Sequence, residues 1–305
     1  MEKGLKIELL KRKEIDLVKW DDLIAHSTAE TIYPYSWYLD AVSEKWSAFV
    51  VDDYRFVMPV VWKKKAGMKY IYQPFYTQQL GVFSREYVHP ELIRKMLRIL
   101  YKKFRFAGIN LNVKNLIGEE KHLAVDDKSN YVLSLNQDYE SHSKGFSSNA
   151  TRNIRKSIEF SDILEKGLPV QELVRLKKEN DVIRRSEKDY HWLVQLFETI
   201  QERDAGKIYA IRTGSEVTAA AFFAFSKTRA IYLLSASSQK GKEQRGMFRI
   251  VDTFIRDHAG SGLILDFEGS NIPSVARFFS GFGAQPEIYQ SVSFNRLPST
   301  FTKFK

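Results

Sequence analysis

Two carboxylates near the C-terminal end of the chain are well placed to do chemistry. Asp266 and Glu268 occupy alternate positions at the end of a strand predicted over 262–267, so their side chains are expected to share one face. A helix is predicted to begin at about Pro273, just beyond them. A carboxylate at such a strand end can hold an amine or accept its proton. The alternative is structural, with Asp266 accepting hydrogen bonds from the backbone N–H groups that follow it.

A loop over 239–246 contains two glycines and leads into a helix predicted over 247–259. The first N–H groups of a helix and the positive end of its dipole suit a phosphate. Lys240, Lys242 and Arg245 add positive charge to this loop. The alternative is an ordinary solvent-exposed turn between a strand and a helix.

Three polar residues share one face of a helix predicted in the middle of the chain. Asn149, Arg152 and Lys156 are spaced by three and four residues, and the two cations could clamp a phosphate of an acceptor or a nucleotide. In the alternative interpretation they are exposed partners of Glu159 and Asp162.

A second polar group is predicted at the end of a strand that runs from about 69 to 83. Tyr76, Gln78 and Gln79 could line a groove for an acceptor through hydrogen bonds, and Gly81 permits a bend or a close backbone approach. The alternative is a polar strand edge without a ligand.

Composition excludes several classes of site. The 305 residues include no cysteine, which rules out a thiol nucleophile, a disulfide scaffold, a cysteine–zinc site and an iron–sulfur cluster. The six histidines have no metal-ligand spacing, so no metal is predicted. No serine triad, Walker loop or Rossmann motif is present.

The formal net charge of +10 favours an anionic partner, such as a phosphorylated cofactor, RNA or an acidic membrane surface. The alternative is that Lys and Arg serve solubility alone. No apolar run approaches the 18 residues of a membrane span, and the N-terminus opens with polar residues. We therefore expect a cytoplasmic protein without a transmembrane segment.

The order of predicted elements repeats. Each half contains a helix, three strands, a second helix and a further strand, and the last strand of the second half is predicted over 287–295. A polar, helical connector separates the halves. The predicted boundaries are 1–137 for the first unit, 138–166 for the connector and 167–305 for the second unit.

This order, together with three segments, resembles the double-GNAT acyltransferases. The segments are 72–81 (YQPFYTQQLG), 148–156 (SNATRNIRK) and 266–270 (DFEGS), the last followed by 276–279 (ARFF) and 282–284 (FGA). The chain resembles the Fem-type aminoacyltransferases of peptidoglycan synthesis and the related BioF-type and cellulose-type acetyltransferase-like proteins. The glycine loop departs from the usual GNAT spacing, because Gly241 and Gly246 stand too far apart.

The resemblance implies an α/β (α+β) fold of two tandem GNAT-like units, each a mixed, mostly antiparallel sheet flanked by helices. It implies a bacterial acyltransferase that moves an acyl or aminoacyl group from acyl-CoA or aminoacyl-tRNA to an amine. The acceptor would be a small molecule or a cell-wall precursor in a groove between the units, with tRNA as a further partner. The alternative is a decayed, non-catalytic GNAT pair that acts as a binding module; the sequence leaves the oligomeric state open.

The resemblance also assigns roles. Catalysis falls to Asp266 and Glu268, and acceptor binding to Tyr76, Gln78, Gln79, Asn149, Arg152 and Lys156. Donor binding, with backbone N–H groups polarising the carbonyl, falls to Ser235, Ala236, Ser237, Ser238, Lys240, Lys242, Arg245 and Gly246.

Overall fold

The computed structural model describes residues 4–183, 185–269 and 272–297. These residues form twelve strands: β1 (Ile7–Lys11), β2 (Trp46–Val51), β3 (Phe56–Lys65), β4 (Met68–Ile71), β5 (Phe106–Asn110), β6 (Ala124–Ser134), β7 (Ile163–Lys166), β8 (Gly206–Thr213), β9 (Glu216–Phe225), β10 (Arg229–Ser237), β11 (Ile264–Asp266) and β12 (Gln285–Asn295). They also form ten α-helices: α1 (Leu17–Ala25), α2 (Ser36–Val42), α3 (Pro90–Lys103), α4 (Tyr139–Lys144), α5 (Ser148–Ile158), α6 (Val170–Asn180), α7 (Glu187–Gln201), α8 (Gln239–Glu243), α9 (Gly246–His258) and α10 (Pro273–Ser280).

The chain divides into two compact units. Among the described residues, the first unit contains 4–129 and 287–297, and the second contains those between Asn130 and Pro286. Residues 138–166, which the sequence suggested as a connector, lie inside the second unit as α4, α5 and β7.

The first unit has the strand order β1-β2-β3-β4-β5-β12. Its neighbouring strands are antiparallel except for β4 and β5, which are parallel. Helix α3 begins with Pro90 in its first turn and buries one apolar face, as the spacing predicted. That face consists of Leu92, Ile93, Met96, Leu97 and Leu100, which pack into the core of this unit.

The second unit has the strand order β6-β11-β10-β9-β8-β7, to which β6 contributes its residues from Asn130 onward. Only the pair β10–β11 is parallel in the described ladders. One face of its sheet packs against α9, where Phe223 stacks on Phe254 with ring centroids 3.8 Å apart. On the other face Phe222 stacks on Phe197 of α7 at 4.3 Å. Both units therefore confirm the predicted mixed, mostly antiparallel sheets flanked by helices.

The final strand corrects one detail of the predicted repeat. Residues 287–295 were assigned to the second half, but β12 pairs with β5 of the first unit, with Val292 opposite Ile109. The alternating apolar residues of a strand show which positions are buried, and they do not show which edge strand it will join.

Candidate functional site

Strand β10 parts from its parallel neighbour after the first third of its length. The ladder between them joins Arg229–Ile231 to Ile264–Asp266, and β10 then continues to Ser237. A bulge at Leu233 shifts the register of β10 against β9. Bulges bend a strand and increase its twist, which helps to separate the two strands. The last six residues of β10, apart from the bulged Leu233, are therefore paired with β9 on one edge, without a described strand on the other.

A cavity of about 470 Å³ lies in the second unit beside this free part of β10. Its polar groups come from Ser235 and Ser237 of β10 and from Lys242 and Arg245 beside the start of α9. The apolar lining comes mainly from Tyr232, Met247, Phe248, Val275, Phe278 and Phe279. A mostly apolar cavity with a few polar groups is typical of a small-molecule site.

The two glycines of the predicted loop have packing roles. A Cβ atom on Gly241 would lie 2.0 Å from the carbonyl oxygen of Thr218, and one on Gly246 would lie 3.0 Å from the Cβ of Ala219. The glycines thus let α8 and α9 approach strand β9 closely. The predicted loop also contains the short helix α8, which Ser238 caps by accepting a hydrogen bond from the N–H of Gly241 at 3.2 Å.

The structure brings half of the predicted donor residues together. Ser235, Ser237, Lys242 and Arg245 line the cavity. The others do not line it: Ala236 is buried in β10, Ser238 caps α8, Lys240 is exposed, and Gly246 packs on β9. Ligand binding by any of them stays a prediction.

Asp266 has the structural environment that the alternative interpretation described. It is 3% exposed, its Oδ1 accepts a hydrogen bond from the N–H of Glu268 at 2.9 Å, and its Oδ2 accepts one from Arg229 at 2.8 Å. This is a buried ion pair, since the Arg229 side chain is only 14% exposed.

The prediction that Asp266 and Glu268 share a strand face is wrong. Strand β11 ends at Asp266, and Glu268 has a left-handed backbone with φ of +58°. The carbonyl of Glu268 accepts a hydrogen bond from the N–H of Tyr131 at 3.3 Å. Neither carboxylate is among the described residues that line the cavity.

The expected strand around Tyr76, Gln78 and Gln79 is also wrong, because β4 ends at Ile71 and these residues lie in irregular backbone. The carbonyl of Tyr76 accepts a hydrogen bond from the Tyr38 hydroxyl. Gln79 is buried, and its Oε1 accepts a hydrogen bond from the N–H of Val113 at 3.1 Å, while its amide donates to Oε1 of Gln78 at 2.7 Å. These contacts fix the segment within the first unit.

Gly81, by contrast, makes the close approach that was expected. It has a φ of +96°, and a Cβ there would lie 2.5 Å from Oδ1 of Asn115. That oxygen accepts a hydrogen bond from the N–H of Val82 at 2.6 Å, so the amide side chain takes the place of a strand partner.

Asn149, Arg152 and Lys156 lie on the exposed surface of α5, whose buried residues are Ala150, Ile154 and Ser157. Arg152 donates a hydrogen bond to Oδ1 of Asn149 at 2.9 Å. Within the described part of the chain, neither cation forms the expected ion pair with Glu159 or Asp162. Asp162 instead accepts a hydrogen bond from Thr213 at 2.7 Å.

Tyr232 is a cavity residue that the sequence did not reveal. Strict alternation would place it on the face opposite Ser235 and Ser237, and the bulge at Leu233 brings all three to one face. Burial raises the pKa of Tyr232 above its ordinary value, and the hydrogen bond with Ser235 lowers it by less. The hydroxyl of Tyr232 therefore stays protonated at neutral pH. Phe248, Phe278 and Phe279 were missed because their spacing is that of ordinary core residues.

Over residues 4–183, 185–269 and 272–297, no three His, Asp or Glu side chains gather as a metal site. In the same ranges, no helix combines the length and apolar character needed to span a bilayer.

No family model matches this sequence, and no curated protein matches it. Solved structures do. FemX aligns with a TM-score of 0.64 at 11% identity, covering 93% of this chain and 96% of that one. A tandem GNAT protein from the clavulanic acid biosynthesis pathway has a TM-score of 0.57 at 11% identity, covering 97% and 100%. L-PGS from Bacillus licheniformis has a TM-score of 0.55 at 11% identity, covering 93% of each chain. The chain therefore has the tandem-GNAT fold, which confirms its resemblance to the Fem-type double-GNAT proteins.

Proposed function

We propose that this protein is an acyltransferase that holds its acyl donor in the cavity of the second unit. The observation that carries the proposal is the free part of β10, which borders a cavity with cationic and hydroxyl groups and an apolar lining. A free strand edge offers backbone hydrogen-bonding groups to an extended ligand. The fold, shared with a GNAT acetyltransferase and with tandem GNAT proteins, supports the same function.

The lining of the cavity favours a donor with a phosphate at one end and an apolar arm. Lys242, Arg245 and the first N–H groups of α9 provide positive charge for the phosphate. The aromatic residues of α9 and α10 provide an apolar surface for the arm and the acyl group. Acyl-CoA has both parts, and aminoacyl-tRNA is the alternative donor.

The proposed reaction is attack of an amine on the acyl carbonyl carbon. The new C–N bond replaces the C–S bond of a thioester or the C–O bond of an ester, and the leaving group takes the proton that the amine loses. Correct positioning contributes up to about 7–11 kcal/mol to such a reaction. Because Tyr232 lines the cavity and its hydroxyl is protonated, we assign to it the donation of a hydrogen bond to the oxyanion or to the leaving group.

The proposed acceptor is an amine group of a small molecule or of a cell-wall precursor. Arg152 and Lys156 are exposed on α5, where they would attract an acceptor that carries a phosphate or a carboxylate. The hydrogen bonds of Tyr76, Gln78 and Gln79 hold this segment in place within the first unit. Their proposed part in acceptor binding is therefore indirect, through the backbone that they fix.

A thermal-unfolding assay with CoA and acetyl-CoA tests the donor site. A ligand at a hundredfold excess over its Kd stabilises the protein by about 2.7 kcal/mol. Lys242→Ala with Arg245→Ala should abolish this stabilisation, while Lys188→Ala, an exposed lysine of α7, should retain it. Absence of stabilisation by either compound, together with absence of tRNA binding, would contradict the proposal. If tRNA alone binds, with affinity that falls steeply with salt, the donor is aminoacyl-tRNA.

A non-catalytic binding module is the second candidate. One observation favours it: the described residues that line the cavity include no carboxylate and no histidine that could serve as a general base. Transfer assays with a panel of amines separate the two candidates, since a binding module would take up the donor and form no product. Tyr232→Phe should lower the rate of an acyltransferase and leave donor binding unchanged.

A further inference from the structure

The hairpin of β3 and β4 projects beyond the strands on either side of it. The two strands pair with each other from Trp62–Ile71 to Lys65–Met68. The ladder between β2 and β3 stops at Val61, and the ladder between β4 and β5 contains only Ile71 with Ala107. Residues 63–70 therefore form a two-stranded ribbon, in which each strand pairs with the other and with no further strand in the described ladders. We call these residues the basic hairpin.

The basic hairpin carries lysines in an arrangement that folding does not favour. It contains Lys63, Lys64, Lys65 and Lys69, and residues 60–73 include no Asp or Glu. Lys64 lies directly opposite Lys69 across the two strands, where like charges destabilise a hairpin. In the described structure Lys63, Lys64 and Lys69 form no ion pair, so their charge is available to a partner.

More positive charge lies at the same end of the sheet. Because β4 and β5 are parallel and Ile71 is opposite Ala107, the residues that precede β5 point toward the end from which the hairpin projects. Those residues include the exposed Lys102, Lys103 and Arg105, and residues 96–118 contain no acidic residue. The basic hairpin thus extends from a broader cationic edge of the first unit.

We propose that the basic hairpin docks the protein on the surface of an anionic lipid bilayer, a property separate from acyl transfer. Lysine ammonium groups attract the negative headgroups of such a surface at short range. The turn residues Ala66 and Gly67, with Met68 at the start of β4, place small and apolar groups between the lysines. Trp62 and Tyr72 suit the boundary between headgroups and water.

The details favour a bilayer over RNA. Arg105 is the one arginine among these cations, and arginine is the side chain with the planar group that binds phosphates in pairs and stacks on bases. A lysine lies over each of the two rings on which bases would stack and competes with stacking there: Lys69 Nζ lies 4.6 Å from the Trp62 ring centroid, and Lys63 Nζ lies 4.5 Å from that of Tyr72.

Cosedimentation with vesicles tests the proposal with the full chain. We expect binding to vesicles with about one third phosphatidylglycerol at ~0.15 M salt, and no binding to phosphatidylcholine vesicles. Lys63→Gln, Lys64→Gln and Lys69→Gln together should weaken binding by about a hundredfold, or roughly fivefold per lysine. The control changes three exposed lysines outside the hairpin, Lys13, Lys95 and Lys188, to Gln and should bind like the unmodified protein.

Tryptophan fluorescence gives a second measurement. The chain has five tryptophans, and the blue shift on vesicle binding should decrease in Trp62→Phe if the hairpin enters the headgroup layer. Unaltered vesicle binding by the hairpin triple variant, an equal loss in the control triple variant, or absence of binding to the anionic vesicles would each overturn the proposal. So would RNA binding that needs the hairpin lysines when vesicle binding does not.

Discussion

Replacing Asp266 by Asn should destabilise the second unit, whatever its effect on activity. Asp266 lies at the end of β11, and its carboxylate pairs with Arg229 at the start of β10. The side chains are 4% and 14% exposed, so both charges are largely removed from water. Asn keeps the size of the side chain and can still accept the hydrogen bond from the N–H of Glu268, but it removes the negative charge that Asp266 places against Arg229.

The expected loss follows from that change. Breaking a buried ion pair from one side costs about 3–5 kcal/mol, because the remaining charge stays buried. Since the backbone hydrogen bond survives, we expect a loss at the lower end of this range, about 3 kcal/mol in the free energy of unfolding. For a unit of this size that corresponds to a decrease in Tm of about 6–12 °C. Glu187→Gln, which breaks an exposed ion pair with Lys178, should cost less than about 1 kcal/mol.

Urea unfolding followed by tryptophan fluorescence measures these free energies. Arg229→Met combined with Asp266→Asn should lose less stability than the sum of the single variants, because no buried charge is left behind. The reasoning is refuted if Asp266→Asn unfolds within about 1 kcal/mol of the unmodified protein while acyl transfer falls more than about a hundredfold. That outcome would make Asp266 a general base rather than a structural residue.

Three further variants test local features of the fold. Gly241→Ala should lower the free energy of unfolding by at least about 2 kcal/mol in urea titrations, since its Cβ would collide with the Thr218 carbonyl. Ala66→Asn should raise the Tm slightly, because Ala66 has a φ of +48° before Gly67 in a turn that favours Asn-Gly. Burial would raise the pKa of Asp40, but its hydrogen bonds from Arg12 and Trp46 outweigh this effect and hold it below its ordinary value. Asp40→Asn should therefore be less stable than the unmodified protein at neutral pH. In acid unfolding the difference should begin to shrink as the pH falls through about 4, the ordinary pKa of Asp, and should vanish only below the lowered pKa of the folded state.

Local patterns in the sequence predicted where helices, strands and turns lie better than they predicted which strands pair with each other. The apolar spacing of residues 92–100 gave the buried face of α3, and the turn at 66–67 appeared where Ala-Gly indicated it. Both depend on residues close in sequence. The pairing of β12 with β5 joins residues more than 170 positions apart, and both strands would satisfy the same alternation elsewhere. Irregular backbone at 72–79 was also missed, because side-chain amides replace strand partners there.

Prediction of the site from the sequence had the same limit, because features that depend on distant residues or on a bulge were missed. The cationic residues Lys242 and Arg245 were found because charge after a strand and before a helix is visible in the sequence. Tyr232 was missed because one extra residue in β10 reverses the alternation, and nothing local marks Leu233 as a bulge. The ion pair of Asp266 with Arg229 was not visible in the sequence, because the two residues lie 37 positions apart.

The position of Asp266 explains why a residue so near the cavity does not line it. Leu265 and Phe267 belong to the core that packs against α9, as do Ala230 and Tyr232 of β10. Alternation then places Asp266 and Arg229 on the opposite face of the sheet. Their ion pair crosses the three-residue ladder diagonally, because Arg229 is opposite Ile264 and Asp266 is opposite Ile231. The pair thus spans the whole ladder, whose last position is Ile231 opposite Asp266, and the cavity begins at the next residue of β10, Tyr232. We therefore propose that the pair fixes where the strands separate, which in turn sets the positions of Tyr232, Ser235 and Ser237 beside the cavity.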